Sequence, residues 1–161
     1  MSDMWSDIAK FHQKFSLPQE EVPSFPNDEM MAFRIDFMQE ELNEFREAVE
    51  KRDIVMAFDA LLDLAYVTLG TAYLMHLPWN EGWEHVQAAN MEKVRAKKAA
   101  DSTRGSAYDV VKPPGWVPPN RMLHAEVIML EHEVLVVKSR TVGRKFRVGV
   151  DESKDESEDD V

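Results

Sequence analysis

One stretch decides how this sequence folds: Glu40-Glu41-Leu42-Asn43-Glu44, a charged break at residues 50–53, and then Asp59-Ala60-Leu61-Leu62-Asp63. Residues three or four apart on a helix lie on one face, so Glu41 with Glu44 and Asp59 with Asp63 each form a stacked pair. Four acids in close proximity raise one another's pKa values unless a cation lies between them. Because Mg²⁺ takes oxygen ligands and also binds substrate phosphates, this pattern predicts a metal–phosphate site.

The two pairs differ in how easily they are explained without a ligand. Exposed glutamates are common on helices, so Glu40, Glu41 and Glu44 are equally well interpreted as a solvated face. Asp59 and Asp63 lie in a segment, residues 54–67, that contains no basic residue. A buried aspartate without a partner costs several kcal/mol. We therefore expect a metal ion, or a basic residue from elsewhere, to pair with them, and the metal is the stronger hypothesis.

The composition is that of a folded, acidic protein. The chain has 161 residues, 44% of them hydrophobic, and a formal net charge of −11. This length suits one domain with a sizeable core. Residues 151–161 hold seven acids and one lysine, hence −6 of that charge, and we expect this tail to be disordered. An acidic protein without a basic stripe is a poor candidate for nucleic-acid binding, so no nucleic-acid partner is expected.

The sequence also predicts where the protein works. It contains no cysteine, which excludes a disulfide framework and a thiol nucleophile and fits a reducing compartment. The first ten residues lack the basic-then-apolar layout of a signal peptide. The apolar segment 54–77 contains Asp59 and Asp63, and the residues between Asp63 and Pro78 are too few to span a bilayer. We expect a soluble, cytoplasmic protein with no membrane partner.

Apolar periodicity predicts an all-α fold with four helices, at residues 2–15, 28–51, 54–77 and 81–99. We expect Asn27 or Asp28 to cap the second helix, Asp53 the third and Asn80 the fourth. A proline-containing loop, residues 17–26, separates the first two helices. In the fourth helix we expect three apolar side chains to point inward: Trp83, Val86 and Val94.

The second helix has two partly apolar faces. Glu41 and Glu44 lie on a face shared with Met30, Phe37 and Ala48. A helix apolar on two sides is buried on both, which suggests a bundle or a subunit interface. We therefore predict a four-helix-bundle core assembled as a homo-oligomer. The main apolar stripe comprises Met31, Ile35, Met38, Leu42, Phe45 and Val49.

The C-terminal part is less regular. Four prolines and a glycine in residues 108–120 predict an extended, ordered loop. Residues 122–133 favour a helix. The apolar runs 134–137 and 146–150 flank Thr141-Val142-Gly143-Arg144 and predict a small β-hairpin. No glycine-rich phosphate loop is present.

Several side chains outside the acidic stretch are candidates for substrate binding. Asn90 and Lys93 lie one turn apart on the predicted fourth helix; asparagine offers an oxygen to a metal, and lysine a positive charge to a phosphate. Lys112, in the proline-rich loop, is either a phosphate ligand or simply exposed. His12 on an apolar stripe is more often a core histidine than a ligand, although with Phe15 beside it stacking on a base is an alternative.

At this point the residues resemble a known family. Glu40-Glu41-x-x-Glu44 followed by Asp63 on the next helix is similar to the acidic signature of the all-α nucleoside triphosphate pyrophosphohydrolases, the MazG-like group. That group includes dimeric dUTPases and phosphoribosyl-ATP pyrophosphohydrolase. The similarity is greatest to short MazG-like proteins of phages and bacteria, and it spans about residues 5–120. It continues through Phe11-His12-Gln13-Lys14-Phe15-Ser16-Leu17-Pro18, residues 59–72, Asn90-Met91-x-Lys93-Val94 and Lys112-Pro-Pro-Gly-Trp-x-Pro-Pro.

The resemblance implies hydrolysis of a nucleoside triphosphate between its α- and β-phosphates, in the cytoplasm of a bacterium or of a phage-infected host. It implies Mg²⁺ or Mn²⁺ on Glu41, Glu44 and Asp63, with Asp59 or Glu40 assisting, and Glu40 as the base. Purine deoxynucleotides, dGTP or dATP, are the expected substrates. Dimers or tetramers with sites near the subunit interface are implied as well. The implied substrate-binding residues are Asn90, Lys93, Lys112, His12, Phe15 and Tyr66.

One residue departs from the family pattern. The family usually carries Glu-x-x-Asp on the second acidic helix, but here Ala60 occupies the glutamate position, and Asp59 is the candidate replacement.

Two other interpretations of the protein compete with this resemblance. A ferritin-like di-iron bundle requires Glu-x-x-His motifs, which this sequence lacks. A catalytically silent oligomerisation or nucleotide-binding module is the more serious alternative. We assign residues 1–120 to the catalytic domain, 121–150 to an extension and 151–161 to the acidic tail.

Overall fold

A computed structural model describes residues 3–148 of the chain, with side chains as far as Ser139. The fold is mostly helical, as predicted, with one short antiparallel ladder that pairs Val94 with Val111 and Arg95 with Val110. A 3₁₀ turn, Ala99–Asp101, lies between the two strands. In chain order the elements are α1 (Met4–Lys14), α2 (Asp28–Lys51), α3 (Ile54–Leu74), α4 (Trp79–Met91), β1 (Val94–Arg95), β2 (Val110–Val111) and α5 (Asn120–Val148).

Side-chain caps determine where the two acidic helices begin. The Asn27 side chain accepts a hydrogen bond of 2.8 Å from the Met30 amide, so Asn27 is the cap of α2. Asp53 Oδ1 accepts bonds of 3.0 and 3.1 Å from the first free amides of α3. Arg52, with φ of 56°, makes the left-handed turn between the helices. Because these caps satisfy amides that a helix start leaves unpaired, both boundaries follow from local sequence.

The helices α1, α2 and α3 pack together and form the part of the fold that carries the acids. Arg34, near the start of α2, bonds to Val67 and Thr71, near the end of α3, so the two helices run antiparallel. The ring of His12 on α1 lies 4.8 Å from that of Tyr73 on α3. Small side chains let α2 and α3 approach closely. The buried apolar residues of these helices include Ile8, Ala48, Ala57, Ala60 and Val67.

The face of α2 that meets α3 is the one with Glu41 and Ala48, not the more regular apolar stripe. Ala48 is fully buried, whereas Ile35, Leu42 and Val49 on the stripe are exposed. Within a single chain only one face of α2 is therefore covered, and burial of the second face in a subunit interface stays a prediction. Small Ala48 permits the close approach of α3, which the bulkier stripe residues would prevent.

Much of α3 is also uncovered. Ile54 is 80% exposed and Phe58 is 63% exposed. Within the described residues, Ile54–Leu74 is the helix whose length and hydropathy of 1.6 would allow it to cross a membrane. The core helix of a soluble protein meets the same criterion.

The structure corrects the predictions for the second half of the chain. Asn80 does not cap α4; it lies inside the first turn, and Pro78 precedes the helix without a side-chain cap. The helix ends at Met91 rather than near residue 99, because the backbone of Val94 and Arg95 pairs with β2. Val94 is half exposed and Trp83 is 58% exposed, so neither points inward as expected.

The predicted β-hairpin is absent from residues 120–148, which form the single helix α5. This helix packs against α4, where His85 Nε2 and Glu126 Oε1 lie 2.8 Å apart. Leu123, Val127, Leu130 and Val134 are spaced at helical intervals and are each partly buried. That packing stripe overrides the β propensity of the valines. The end of the predicted hairpin and the acidic tail lie outside the described residues, and the proposed domain boundaries stay predictions.

Candidate functional site

Glu41 is the carboxylate of the predicted set that the fold buries. Glu41 is only 7% exposed, and its Oε2 atom has no hydrogen-bond partner within residues 3–139. Glu40, Glu44, Asp59 and Asp63 are all exposed. The argument that buried aspartates on α3 demand a partner is therefore wrong for Asp59 and Asp63. It applies instead to Glu41, because a buried carboxylate without a partner must bind a cation or take up a proton.

The remaining acids lie close enough to act on Glu41. Burial raises the pKa of the Glu41 carboxyl, and the charges of Asp63, Glu44, Glu40 and Asp59 raise it further, in decreasing order. The five carboxylates of the sequence pattern are thus neighbours in space. Like charges near a buried carboxyl oppose its ionisation, so a cation at this point would be bound by all of them.

A cavity of about 240 Å³ opens beside Glu41, between α1, α2 and α3. Its polar lining comes from Glu41 and Asp63 at one end and from Arg34 and His12 at the other. The rest of the lining is aromatic or aliphatic, and the aromatic members are Phe11, Phe37 and Tyr66. A concave site with apolar walls and a few converging polar groups is typical of small-molecule binding.

His12 is buried in the wall of this cavity. The residue is 5% exposed, and its Nδ1 atom has no hydrogen-bond partner in the part of the chain that the structure describes. Burial lowers the pKa of the imidazole; the backbone carbonyl of Pro18 opposes this, and the charge of Arg34 lowers it further. Burial therefore favours the neutral form of the His12 ring.

Arg34 is a cavity residue that the sequence analysis missed. Its Nε atom donates to Thr71 Oγ1 over 2.9 Å, and its Nη2 atom donates to the Val67 carbonyl over 2.7 Å. Burial lowers the pKa of the guanidinium, and among the described side chains it forms no ion pair. The sequence could have singled out Arg34, because it is the sole basic residue between Asn27 and Phe45.

Comparison with protein families identifies this arrangement. Residues 8–90 match the family model of phosphoribosyl-ATP pyrophosphohydrolase, a span that includes the whole cavity and all five carboxylates. The chain belongs to the phosphoribosyl-ATP pyrophosphohydrolase family. This family is part of the MazG-like all-α superfamily, as the acidic signature predicted. Comparison with curated proteins gives no match.

Membership in the phosphoribosyl-ATP pyrophosphohydrolase family implies pyrophosphohydrolase activity on nucleotides. The helical content of residues 3–148 agrees with the all-α architecture of this superfamily.

The replacement of the family glutamate by Ala60 has a clear structural consequence. Ala60 is 2% exposed, whereas the preceding Asp59 is exposed. Adjacent residues on a helix point in directions about 100° apart, so Asp59 does not take the place of a side chain at position 60. Asp59 also has the weakest effect on Glu41 among the four neighbouring acids. It is the poorest of the predicted metal ligands.

The remaining carboxylates fit a hard divalent cation in charge and in chemistry. Glu41 Oε2 is buried and has no hydrogen-bond partner in residues 3–139, and Asp63 and Glu44 are the two acids that raise its pKa most. Within the same residues no three His, Asp or Glu side chains converge closely enough to define a metal site by themselves. An ion would therefore bind to Glu41 first, and the exposed acids would have to turn towards it.

The predicted phosphate-binding residues form a separate cluster outside the cavity. Lys93 Nζ donates to Asn90 Oδ1 over 2.7 Å. The ammonium groups of Lys93 and Lys112 lie 5.6 and 4.6 Å from the centre of the Trp116 ring. Trp116 itself donates from Nε1 to the Ala89 carbonyl over 2.7 Å, which anchors the proline-rich loop to α4. The structure thus brings Asn90, Lys93 and Lys112 together, but not with the acids of the same chain's cavity.

The two aromatic candidates differ in their placement. Tyr66 lines the cavity, and its ring lies 5.3 Å from that of Phe11. Phe15 is 53% exposed and lies just beyond the end of α1, so it does not line the cavity. Phe11, one helical turn earlier, takes the position expected for Phe15.

Proposed function

We propose that this protein hydrolyses purine deoxynucleoside triphosphates, dGTP or dATP, to the monophosphate and pyrophosphate with the help of Mg²⁺ or Mn²⁺. The observation that carries the proposal is the buried carboxylate of Glu41, whose Oε2 atom has no hydrogen-bond partner in residues 3–139, with four acids around it beside a cavity. This arrangement is unfavourable without a cation and favourable with a metal-bound polyphosphate.

Different residues of the site would bind the metal, accept the proton and enclose the nucleoside. Glu41, Glu44 and Asp63 would hold the metal, with Asp59 as a weaker contributor. When bound, the ion supplies charge neutralisation for the triphosphate and activates a water molecule. Glu40 is exposed next to the buried acid and would accept the proton of the attacking water. The aromatic end of the cavity, with Tyr66 and His12, would enclose the nucleoside.

We further propose that Lys93 and Lys112 stabilise charge on the departing pyrophosphate, with Asn90 beside them. Because these residues do not line the cavity of their own chain, we propose that a second copy supplies them. Mixing Glu41→Gln protein with Lys93→Ala protein tests this assignment. Activity that recovers in the mixture, although each variant alone is inactive, would support sites shared between copies. An inactive mixture of the two inactive variants would assign Lys93 to the site of its own chain, and a Lys93→Ala protein that is active by itself would leave Lys93 without a role.

Self-association as a dimer or tetramer is part of the same proposal. Ile54, Val55 and Phe58 on α3 are 80%, 72% and 63% exposed, and Ile35 on α2 is 60% exposed. Apolar patches of this kind on a helical surface mark protein–protein contacts. We expect the uncovered stripes of α2 and α3 to be buried between copies, in the cytoplasm, with no nucleic acid or membrane involved.

The test of the reaction is the release of pyrophosphate and of orthophosphate from a panel of NTPs and dNTPs, with Mg²⁺, with Mn²⁺ and with neither. Phosphoribosyl-ATP belongs in the panel because the matching family bears its name. Glu44→Gln is the loss-of-function variant, since Glu44 is exposed and the change does not disturb packing. Glu50→Gln, an exposed glutamate at the end of the same helix, is the matched control.

Pyrophosphate without orthophosphate, lost in Glu44→Gln and kept in Glu50→Gln, would establish the reaction and name the substrate. Orthophosphate as the first product would mean cleavage at the γ-phosphate and a different enzyme class. No release from any nucleotide would leave a silent binding module, in which Glu44→Gln would change nothing.

A further inference from the structure

The guanidinium of Arg34 is held on one edge and free on the other. Nε and Nη2 donate to Thr71 Oγ1 and to the Val67 carbonyl at 2.9 and 2.7 Å. Thr71 Oγ1 in turn donates to the same carbonyl over 2.8 Å, so the acceptors are themselves fixed. The second edge, formed by Nη1 and Nη2, has no hydrogen-bond partner within the described part of the chain. A planar guanidinium with a free edge presents two parallel N–H donors.

Arg34 lines the same cavity as Glu41 and Asp63. Arg34 precedes Glu41 by seven residues on α2, which corresponds to about 10 Å along the helix axis. Around Arg34 the lining is aromatic, and its guanidinium lies 5.7 Å from the centre of the Phe37 ring. In the proposed function the triphosphate occupies the acidic end, so the aromatic end receives the flat, uncharged base.

The space for the guanidinium depends on Gly70. A Cβ atom at this position would lie 3.1 Å from Arg34 Nη2 and 3.5 Å from His12 Nε2. The missing side chain lets both groups approach the backbone of α3. Arg34 is therefore held in the cavity wall by two hydrogen bonds and by its close fit against Gly70. A residue that distinguishes between ligands must be held in one position in this way.

We propose that Arg34 selects the base, by donating from its free edge to two adjacent acceptors, the O6 and N7 atoms of guanine. Adenine presents N7 beside an amino group, so one donor of Arg34 would face another donor. A site built to hydrogen-bond a ligand rejects an analogue that leaves its buried polar groups unpaired. The inference rests on the proposed function and narrows it from purines to guanine nucleotides.

The experiment compares kcat/KM for four substrates: dGTP, dITP, 7-deaza-dGTP and dATP. The first two share O6 and N7, the third lacks N7, and the fourth lacks O6. Wild-type protein should prefer dGTP and dITP over dATP by about 5- to 150-fold, with 7-deaza-dGTP in between. Arg34→Lys and Arg34→Met should remove this preference by lowering activity on dGTP far more than activity on dATP. Arg46→Gln, an exposed arginine of the same helix, should change neither.

Two results would overturn the assignment. An equal loss on all four substrates in Arg34→Met, largely restored in Arg34→Lys, would mean that Arg34 binds a phosphate, because a lysine keeps the charge but not the two-donor edge. An unchanged dGTP preference in both variants would give Arg34 a purely structural role.

A second measurement separates the failure of this inference from the failure of the proposed function. If wild-type protein hydrolyses none of the four nucleotides, calorimetric titration with dGMP and dAMP still tests the base contact. Tighter binding of dGMP that is lost in Arg34→Lys would support base selection in a non-catalytic protein. Equal affinity of wild-type protein for the two monophosphates would refute it.

Discussion

Arg34 Nε donates a hydrogen bond of 2.9 Å to Thr71 Oγ1, and this bond joins α2 to α3 across the wall of the cavity. Thr71 is buried, and its hydroxyl also donates to the Val67 carbonyl. One hydroxyl therefore acts as acceptor for the guanidinium and as a link to the helix backbone. The position of Arg34 depends on a residue thirty-seven places away in the sequence.

Thr71→Val should destabilise the protein by about 1–3 kcal/mol, because it leaves the half-buried Nε–H of Arg34 without an acceptor. Thr71→Ser keeps the hydroxyl and should cost less, about the value of one buried methyl group, near 0.8 kcal/mol. Urea unfolding of the two variants measures the difference. Equal stability of the valine and serine variants would show that the bond to Arg34 contributes nothing.

Gly70→Ala should interfere with Arg34, and Gly82→Ala is its matched control. Both glycines are helical, so each alanine gains up to about 1 kcal/mol of helix propensity. At Gly82 the new Cβ would lie 3.3 Å from the Cδ2 atom of Leu123, which is the end of a flexible side chain. At Gly70 it would lie 3.1 Å from Nη2 of Arg34, whose guanidinium is held by two hydrogen bonds. We expect Gly82→Ala to be neutral or stabilising in thermal unfolding.

Gly70→Ala should be the less stable of the two alanine variants, and it alone should lower nucleotide affinity. Identical unfolding temperatures and identical affinities for the two variants would contradict a tight fit of Arg34 against α3.

His12 should make the stability of the protein depend on pH. Burial lowers its pKa below the ordinary value of 6.5, so the unfolded chain binds a proton at a higher pH than the folded chain does. The stability from neutral His12 is present above about pH 6.5 and is lost as the pH falls through the folded-state pKa. His12→Gln should make the free energy of unfolding, measured in urea, depend less on pH between pH 7 and pH 5. The exposed His132→Gln should keep the wild-type slope.

Glu41→Gln should uncouple stability from divalent cations. In metal-free buffer the variant should unfold a few degrees above wild-type protein, because a buried charge repelled by its neighbours has been removed. At this chain length a gain of about 1 kcal/mol in unfolding free energy corresponds to a rise of about 2–4 °C in Tm. Added Mg²⁺ or Mn²⁺ should raise the Tm of wild-type protein and leave Glu41→Gln unchanged. Catalytic activity should fall by about 100-fold or more, the value of several kcal/mol. An equal metal-dependent rise in both proteins would place the ion elsewhere.

Phe58→Asp should dissociate the proposed oligomer. Phe58 is 63% exposed on the uncovered face of α3, and a charge in an apolar interface is strongly unfavourable. Sedimentation velocity at micromolar concentrations should show a dimer or tetramer for wild-type protein and a monomer for the variant. Tyr108→Asp, which changes a 93% exposed side chain in a loop, should leave the assembly intact. A monomeric wild-type protein would refute self-association outright.

Local sequence was sufficient for the features that depend on one or two helical turns. Asn27 and Asp53 cap the acidic helices as expected, because a cap is decided by the amides that follow it. The spacing of Glu41, Glu44 and Asp63 predicted that these acids lie together, and the charges of Glu44 and Asp63 do raise the pKa of Glu41 in the structure. Where local preference conflicted with packing, prediction failed: Val134 and Val136 belong to the helix α5, in which both are partly buried.

What the sequence by itself determined, then, is an all-α chain with an acidic pattern of the MazG-like superfamily. The tertiary structure alone decided which acid is buried, since that depends on small Ala48 and Ala60 letting α2 and α3 meet on the face of Glu41. It alone connected Arg34 to Val67 and Thr71. Such contacts join distant residues, and their existence depends on how two helix faces pack, which no spacing within one helix encodes.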